Sequence, residues 1–206
     1  MPFVVFEGLD GSGKSTLIKG LADELTLRHK NVVLTREPGG TALGDEIRKL
    51  LLESGPCAPV PRAELLLYQA GRAQHVEQVI QPALKRGDWV ICDRFTASSL
   101  AFQCGGRGID EAEVEKLNHY ATGGLKPDLS VLLQVSVATS EKRRSTRTNI
   151  DRFELEKSEF HQRVFEHYLK QVKASPSDWM VIDGEGRSPK VLLEELLKQL
   201  EQRRWL

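Results

Sequence analysis

The chain has 206 residues, 40% hydrophobic and 28% charged, with 29 Lys plus Arg against 29 Asp plus Glu, so its formal net charge is zero. These globular values exclude a disordered chain, and the missing basic excess argues against nucleic acid or an anionic membrane as a bulk partner. No apolar run reaches the roughly 20 residues of a membrane helix, the N-terminus lacks the basic and apolar regions of a signal peptide, and Cys57, Cys92 and Cys104 form no C-x-x-C pair, as suits reduced thiols in a cytoplasmic protein.

Short β-rich runs alternate with longer helical patterns, which predicts an α/β fold on a parallel sheet. Phe3–Glu7 is almost continuously apolar, as a strand buried on both faces requires. A helix follows from Lys14 to about His29, with Leu17, Leu21 and Leu25 four apart on one face. Asn31–Thr35 is the second predicted strand. It closes on Thr35-Arg36-Glu37-Pro38-Gly39-Gly40-Thr41, a loop stiffened by a proline whose preceding bond is a candidate for the cis form that about 5–6% of X–Pro bonds take. Ala42–Leu52 reads as an amphipathic helix, and Gly55 to Pro61 as a breaker-rich loop. A long helix is predicted from Ala63 to about Gln78, then a shorter one ending near Lys85. Trp89–Asp93 is the third strand.

Further on, a helix around Ser98 to Gln103 runs into a flexible turn at Gly105-Gly106-Arg107-Gly108, before a helix from Asp110 to Ala121. Leu129–Val135 and Met180–Asp183 are the fourth and fifth strands. Between them lie a basic segment, Lys142 to Arg152, and a helix from about Leu155 to Ala174. A last helix starts near Pro189, a residue tolerated in a helix's first turn. No repeat or linker divides the chain, so residues 1–206 are expected to form one domain.

Gly8-Leu9-Asp10-Gly11-Ser12-Gly13-Lys14-Ser15-Thr16 fits G-x-x-x-x-G-K-[ST] between a buried strand and an amphipathic helix, the context a phosphate-binding P-loop needs. Gly8, Gly11 and Gly13 let backbone N–H groups converge on phosphate oxygens with Ser12 and Thr16 beside them, Lys14 reaches the β/γ-phosphates, and Ser15 offers a hydroxyl to Mg²⁺. The motif does not say what becomes of the γ-phosphate. No N-K-x-D guanine-reading motif occurs. Asp93-Arg94, at the carboxyl end of strand three, falls where open α/β sheets bind ligands. Its carboxylate can hold Mg²⁺ or its waters and its guanidinium can clamp a phosphate, although a structural ion pair reads the same way.

These motifs, with Arg72-Ala73-Gln74, Asp93-Arg94-Phe95 and Gln103-Cys104-Gly105-Gly106-Arg107-Gly108, occur in an order and spacing that resemble the thymidylate (dTMP) kinase family over nearly the whole chain. The resemblance implies a nucleoside-monophosphate-kinase fold with a five-stranded parallel sheet flanked by helices and a short lid at about residues 142–154. It also implies ATP-dependent phosphorylation of dTMP to dTDP for dTTP synthesis, Mg²⁺ as cofactor, and a homodimer.

By the same resemblance Asp10 reaches the deoxyribose 3′-hydroxyl, Arg36 and Arg94 orient the acceptor phosphate, Arg72 donates to a thymine carbonyl, Ser99 contacts thymine N3, and Gln103 lies in the dTMP site. Tyr68 stands where the family usually has a stacking Phe. Phe95 and Phe102 stand where it usually has Tyr, so Phe102 keeps the steric block beside the sugar without a phenol. The P-loop has no Arg, and the bacterial-type pattern supplies the catalytic cation from the lid, which places it at Arg147, with Arg143 along the adenine and Arg152 as a phosphate contact or lid brace. Two other readings stay open on residues alone: another nucleoside-monophosphate or deoxynucleoside kinase, and an ATP-binding regulatory module without transfer.

Overall fold

A computed structural model of the chain describes residues 2–145 and 151–206. Its sheet has five parallel strands: β1 (Phe3–Glu7), β2 (Val32–Arg36), β3 (Trp89–Asp93), β4 (Leu129–Gln134) and β5 (Trp179–Asp183). They run in the order β2-β3-β1-β4-β5. β1 is central and every one of its residues is buried, which is why its sequence is apolar almost throughout. The edge strand β5 alternates buried and exposed positions along its outer residues. Phe6 is in register with Asp93 of β3 and with Val131 of β4. The loop after β1 therefore emerges between the ends of β3 and β4, where the chain's order in the sheet reverses and ligands bind.

On one face, α1 (Lys14–Leu27) and α9 (Pro189–Gln202) pack Leu17, Leu21, Leu25, Leu192, Leu196 and Leu200 against β1 and β4. On the other, α3 (Pro61–His75) follows α2 (Ala42–Leu52) and passes through a wide π turn, Val76–Ile80, into α4 (Gln81–Arg86). α3 starts on Pro61, expected in the preceding loop, because a proline's fixed φ and missing N–H suit the first helical position. The π turn meets Pro82, whose nitrogen cannot join an α-helical ladder.

α5 (Thr96–Ser99) continues as a second π turn, Leu100–Gly106. Gly105 and Gly106 are thus wound into helix, not the flexible turn expected. The cause is α8 (Ser158–Ala174), which presses so close that a Cβ on Gly106 would lie 2.5 Å from the Phe160 ring. α6 (Glu111–Thr122) covers the outer side of this layer. Two further boundaries depart from expectation. The start of the basic segment is wound into α7 (Val137–Arg144), capped by Ser136, whose Oγ accepts from Thr139 N at 3.1 Å. α8 begins at Ser158, not Leu155, because Asp151 Oδ1 accepts the N–H groups of Phe153 and Glu154 and holds the stretch before it in turns. No helix among the described residues is long and apolar enough to cross a membrane.

Candidate active site

The loop between β1 and α1 takes its shape from glycine. Gly8, Gly11 and Gly13 have φ of 132°, 81° and 107°, in the region side chains avoid. A Cβ at Gly8 would also lie 2.6 Å from the Leu133 carbonyl oxygen. Lys14 is buried and its Nζ donates to the Gly8 and Leu9 carbonyls at 3.1 and 3.0 Å. Burial, then the nearby Arg94 cation, pushes its pKa down. Ser15 and Thr16 are exposed at the start of α1 and line a cleft with Asp10, Asp93 and Arg143. Arg143, on α7, lies along the loop backbone, its Nη1 donating to Ser12 O at 2.9 Å.

Two buried oxygens in this region, Ser12 Oγ and Asp93 Oδ1, have no hydrogen-bond partner among the described residues. A buried carboxylate oxygen left unpaired is costly, and Asp93 shares the cleft with the Ser15 hydroxyl. That oxygen-only pair fits Mg²⁺, which takes one or two protein oxygens and fills its shell with phosphate and water. Among the described residues no three His, Cys, Asp or Glu gather as a protein-only metal cage would require.

A second cavity opens beside the cleft, and Asp10, Arg48 and Asp151 line both. Arg94 sits at the junction. Its Nη2 donates to Asp10 Oδ1 at 2.8 Å, its Nη1 to Ser98 Oγ and Tyr168 OH at 3.1 Å each, and its guanidinium lies 4.9 Å from the Phe102 ring centre. Burial pushes the Asp10 carboxyl up, but Arg94 and Lys14 outweigh it and hold the group well below the usual carboxylate range. Behind Arg94, burial raises the pKa of Glu7, which accepts from Phe95 N, Ser98 Oγ and Tyr168 OH at 2.9, 2.6 and 2.8 Å.

The inner end of the cavity is built on α3 and the second π turn. Arg72 is 1% exposed, not the solvated helix charge that a lone arginine usually is. Its Nε donates to Glu37 Oε2 at 2.8 Å; Nη1 is shared among Asn118, Ser99 and Gln69 at 2.6 to 3.1 Å; Nη2 donates to Phe95 O at 3.0 Å. Five N–H groups against these partners leave one Nη2–H without an acceptor among the described residues. Tyr68, Ser99, Phe102 and Gln103 also line the cavity. Phe153, near the end of the segment expected to form the lid, packs on both Tyr68 and Phe102, with ring centres 6.4 and 5.7 Å away.

Not every expected residue converges here. Arg36 is 58% exposed and its Nη2 lies 3.7 Å from Asp45, outside the cavity lining. Arg48, on α2 and not among the expected site residues, lines the cavity, its Nη1 donating to Pro38 O at 2.9 Å. Burial, then Arg36, lowers the Arg48 pKa, so the two cations feel each other. Glu37, Asp151 and Phe153 were also missed. Only Glu37 carried a signal, its place in the Arg-Glu-Pro-Gly-Gly loop, whose Glu37–Pro38 bond is cis. Arg152, expected as a phosphate contact or a lid brace, has its Nε donating to Leu51 O at 3.1 Å. Arg147 lies outside the described residues.

Comparison with known proteins gives a consistent result. A family model described as thymidylate kinase matches residues 6–195. A thymidylate kinase of Bdellovibrio bacteriovorus is 53% identical, with 100% of this chain and 98% of that protein covered. A thymidylate kinase of Pelobacter propionicus is 45% identical over 98% of this chain and 94% of its own length. One from Geotalea uraniireducens is 46% identical over 88% of each chain.

Proposed function

The chain belongs to the thymidylate kinase family, and from that premise we propose that it transfers the γ-phosphoryl group of ATP to dTMP, giving dTDP and ADP. One observation carries the assignment of the two substrates: a phosphate-binding loop and a second cavity share the wall formed by Asp10 and Arg48, with Arg94 fixed at their junction. Two phosphates bound on either side bring like charges together, and a cation between them lowers that repulsion and stabilises charge in transit.

On the donor side, Gly8, Gly11, Ser12, Gly13, Lys14, Ser15 and Thr16 hold the ATP phosphates, and Arg143 braces the loop from α7 toward the nucleotide. Ser15 and Asp93 would hold Mg²⁺, which would supply neutralisation of the phosphate charge. On the acceptor side, Arg94 and Arg48 take the dTMP phosphate, Arg36 adds positive charge from outside the cavity lining, and Asp10 accepts from the 3′-hydroxyl. Tyr68 stacks on the base, and Phe102 is the steric block beside the sugar. The free Nη2–H of Arg72 meets a thymine carbonyl, and Ser99 and Gln103 complete the polar contacts. Arg147, in a lid at about residues 142–154, supplies the catalytic cation that the arginine-free P-loop lacks, and closing the lid excludes water.

We place the enzyme in the cytoplasm, as one domain that pairs into a homodimer. Coupled measurement of ADP release with dTMP, dUMP, the ribose form of dTMP and thymidine tests the reading. Turnover is expected with dTMP above all the others and is absent with thymidine, which brings no phosphate to Arg94. Turnover independent of any acceptor overturns it.

A further inference from the structure

Gln103 lines the acceptor cavity, but the group that orients it does not. Glu64, on α3, is 0% exposed and lies behind the cavity wall. Its Oε1 accepts from Gln103 Nε2 at 2.8 Å, and Arg107 Nε donates to it at 3.2 to 3.3 Å. Arg152 Nη2 stands 2.8 Å from Glu64 Oε2 as an ion pair off the hydrogen-bonding direction. A carboxylate facing two guanidinium groups accepts and does not donate. Only the NH₂ end of an amide can therefore face it. The amide is planar, so the Gln103 carbonyl oxygen is turned away from Glu64, and it takes no hydrogen bond among the described residues.

We propose that Glu64 is a positioning residue for base choice: it fixes the end of the Gln103 amide presented to the acceptor, so that the cavity offers an oxygen to the ring N–H of a pyrimidine. This rests on reading the cavity as a nucleoside-monophosphate site. Thymine and uracil carry a hydrogen on N3 between two carbonyl oxygens. Cytosine carries a bare N3 acceptor beside an amino group. A fixed acceptor at Gln103 and the free donor of Arg72 match the first pattern and oppose the second, and sites built on such buried pairing discriminate far better than those sorting by one methyl group. Were the carboxylate replaced by an amide, Gln103 could present either end, because the new neighbour both donates and accepts.

The test compares kcat/KM for dUMP and dCMP, which differ at this edge and share the rest. Glu64→Gln is expected to narrow the dUMP-to-dCMP ratio at least tenfold. Glu64→Asp keeps a pure acceptor and is expected to hold the ratio within about threefold whatever it does to absolute rate. If Glu64→Gln lowers both substrates by the same factor, Glu64 only braces the fold and the proposal is overturned. Should Glu64→Gln fail to fold, the double variant Glu64→Gln/Arg107→Gln, which also removes one of the two cations that faced the carboxylate, is read the same way. Absence of turnover with dTMP and dUMP in the unaltered enzyme overturns the functional reading itself, and this inference with it.

Discussion

Arg94 adopts a left-handed backbone, φ 72°, which costs a non-glycine residue about 1–2 kcal/mol. Its own N–H donates to Phe6 O at 2.9 Å, and its side chain is held by Asp10, Ser98 and Tyr168. The strained turn aims the guanidinium at the junction of the two cavities before any phosphate arrives. Arg94→Ala is expected to lower kcat/KM for dTMP by about 10²–10³, the range of a lost transition-state donor, while the ATP dissociation constant stays within about threefold. Steady-state kinetics together with an ATP-analogue titration check this, and equal loss of both would move Arg94 to the donor side. Such residues were legible in sequence because their motifs are local. Arg48 and Glu64 were not, since each is one charge on an amphipathic helix: Glu64 turns inward to Gln103, 39 positions on, and Arg48 to the Pro38 carbonyl, ten positions back.

The α7–α8 junction ties the foot of the lid region to the core, and it does so through a histidine. Arg144 Nη1 lies 3.0 Å from His161 Nε2, so the ring must accept and stay neutral. Burial, then Arg144, pushes the His161 pKa below 6.5, and burial also pushes His167 down. In acid the unfolded chain binds protons these folded rings refuse, so their contribution is complete above pH about 6.5 and is lost as pH falls below it. The melting temperature is expected to drop between pH 6.5 and 5, and His161→Gln, which keeps an acceptor without titrating, makes that drop shallower; an unchanged slope would show that His161 is not its source. The strands and α2 were readable because continuous or periodic apolarity marks them locally. The two π turns were not: one answers to Pro82, the other to the Phe160 ring of a helix more than 50 residues later in the chain.

Across the whole molecule, apolar surface is unevenly spread. α2 and α3, which pack together, leave Leu43, Leu50 and Leu66 about half exposed, with Val60 just before α3 and Leu34 on the edge strand β2. Leu27, Tyr120, Leu155, Val181 and Val191 are exposed elsewhere, but the α2–α3 side chains lie on two packed helices, which is where the expected homodimer would bury them against a second copy of the chain. Sedimentation equilibrium is expected to give twice the 23.1 kDa chain mass, and Leu66→Glu to shift it toward one chain. A single-chain mass for the unaltered protein would remove the dimer.

The last residues fold back on the sheet: Trp205 meets the buried Trp89 of β3 edge to face, with ring centres 6.1 Å apart, and the third tryptophan, Trp179, begins β5. None of the three lines the acceptor cavity or the phosphate cleft. The indole emission of this chain therefore reports two places: Trp89 and Trp205 report the docking of the C-terminal end on the α1–α9 side of the sheet, and Trp179 reports the α8 side, where it packs against the cluster that holds Phe102. Denaturation followed by this light reports the loss of both faces. Occupancy of the two substrate sites is best read by another signal, which lets stability and ligation be measured separately in one sample.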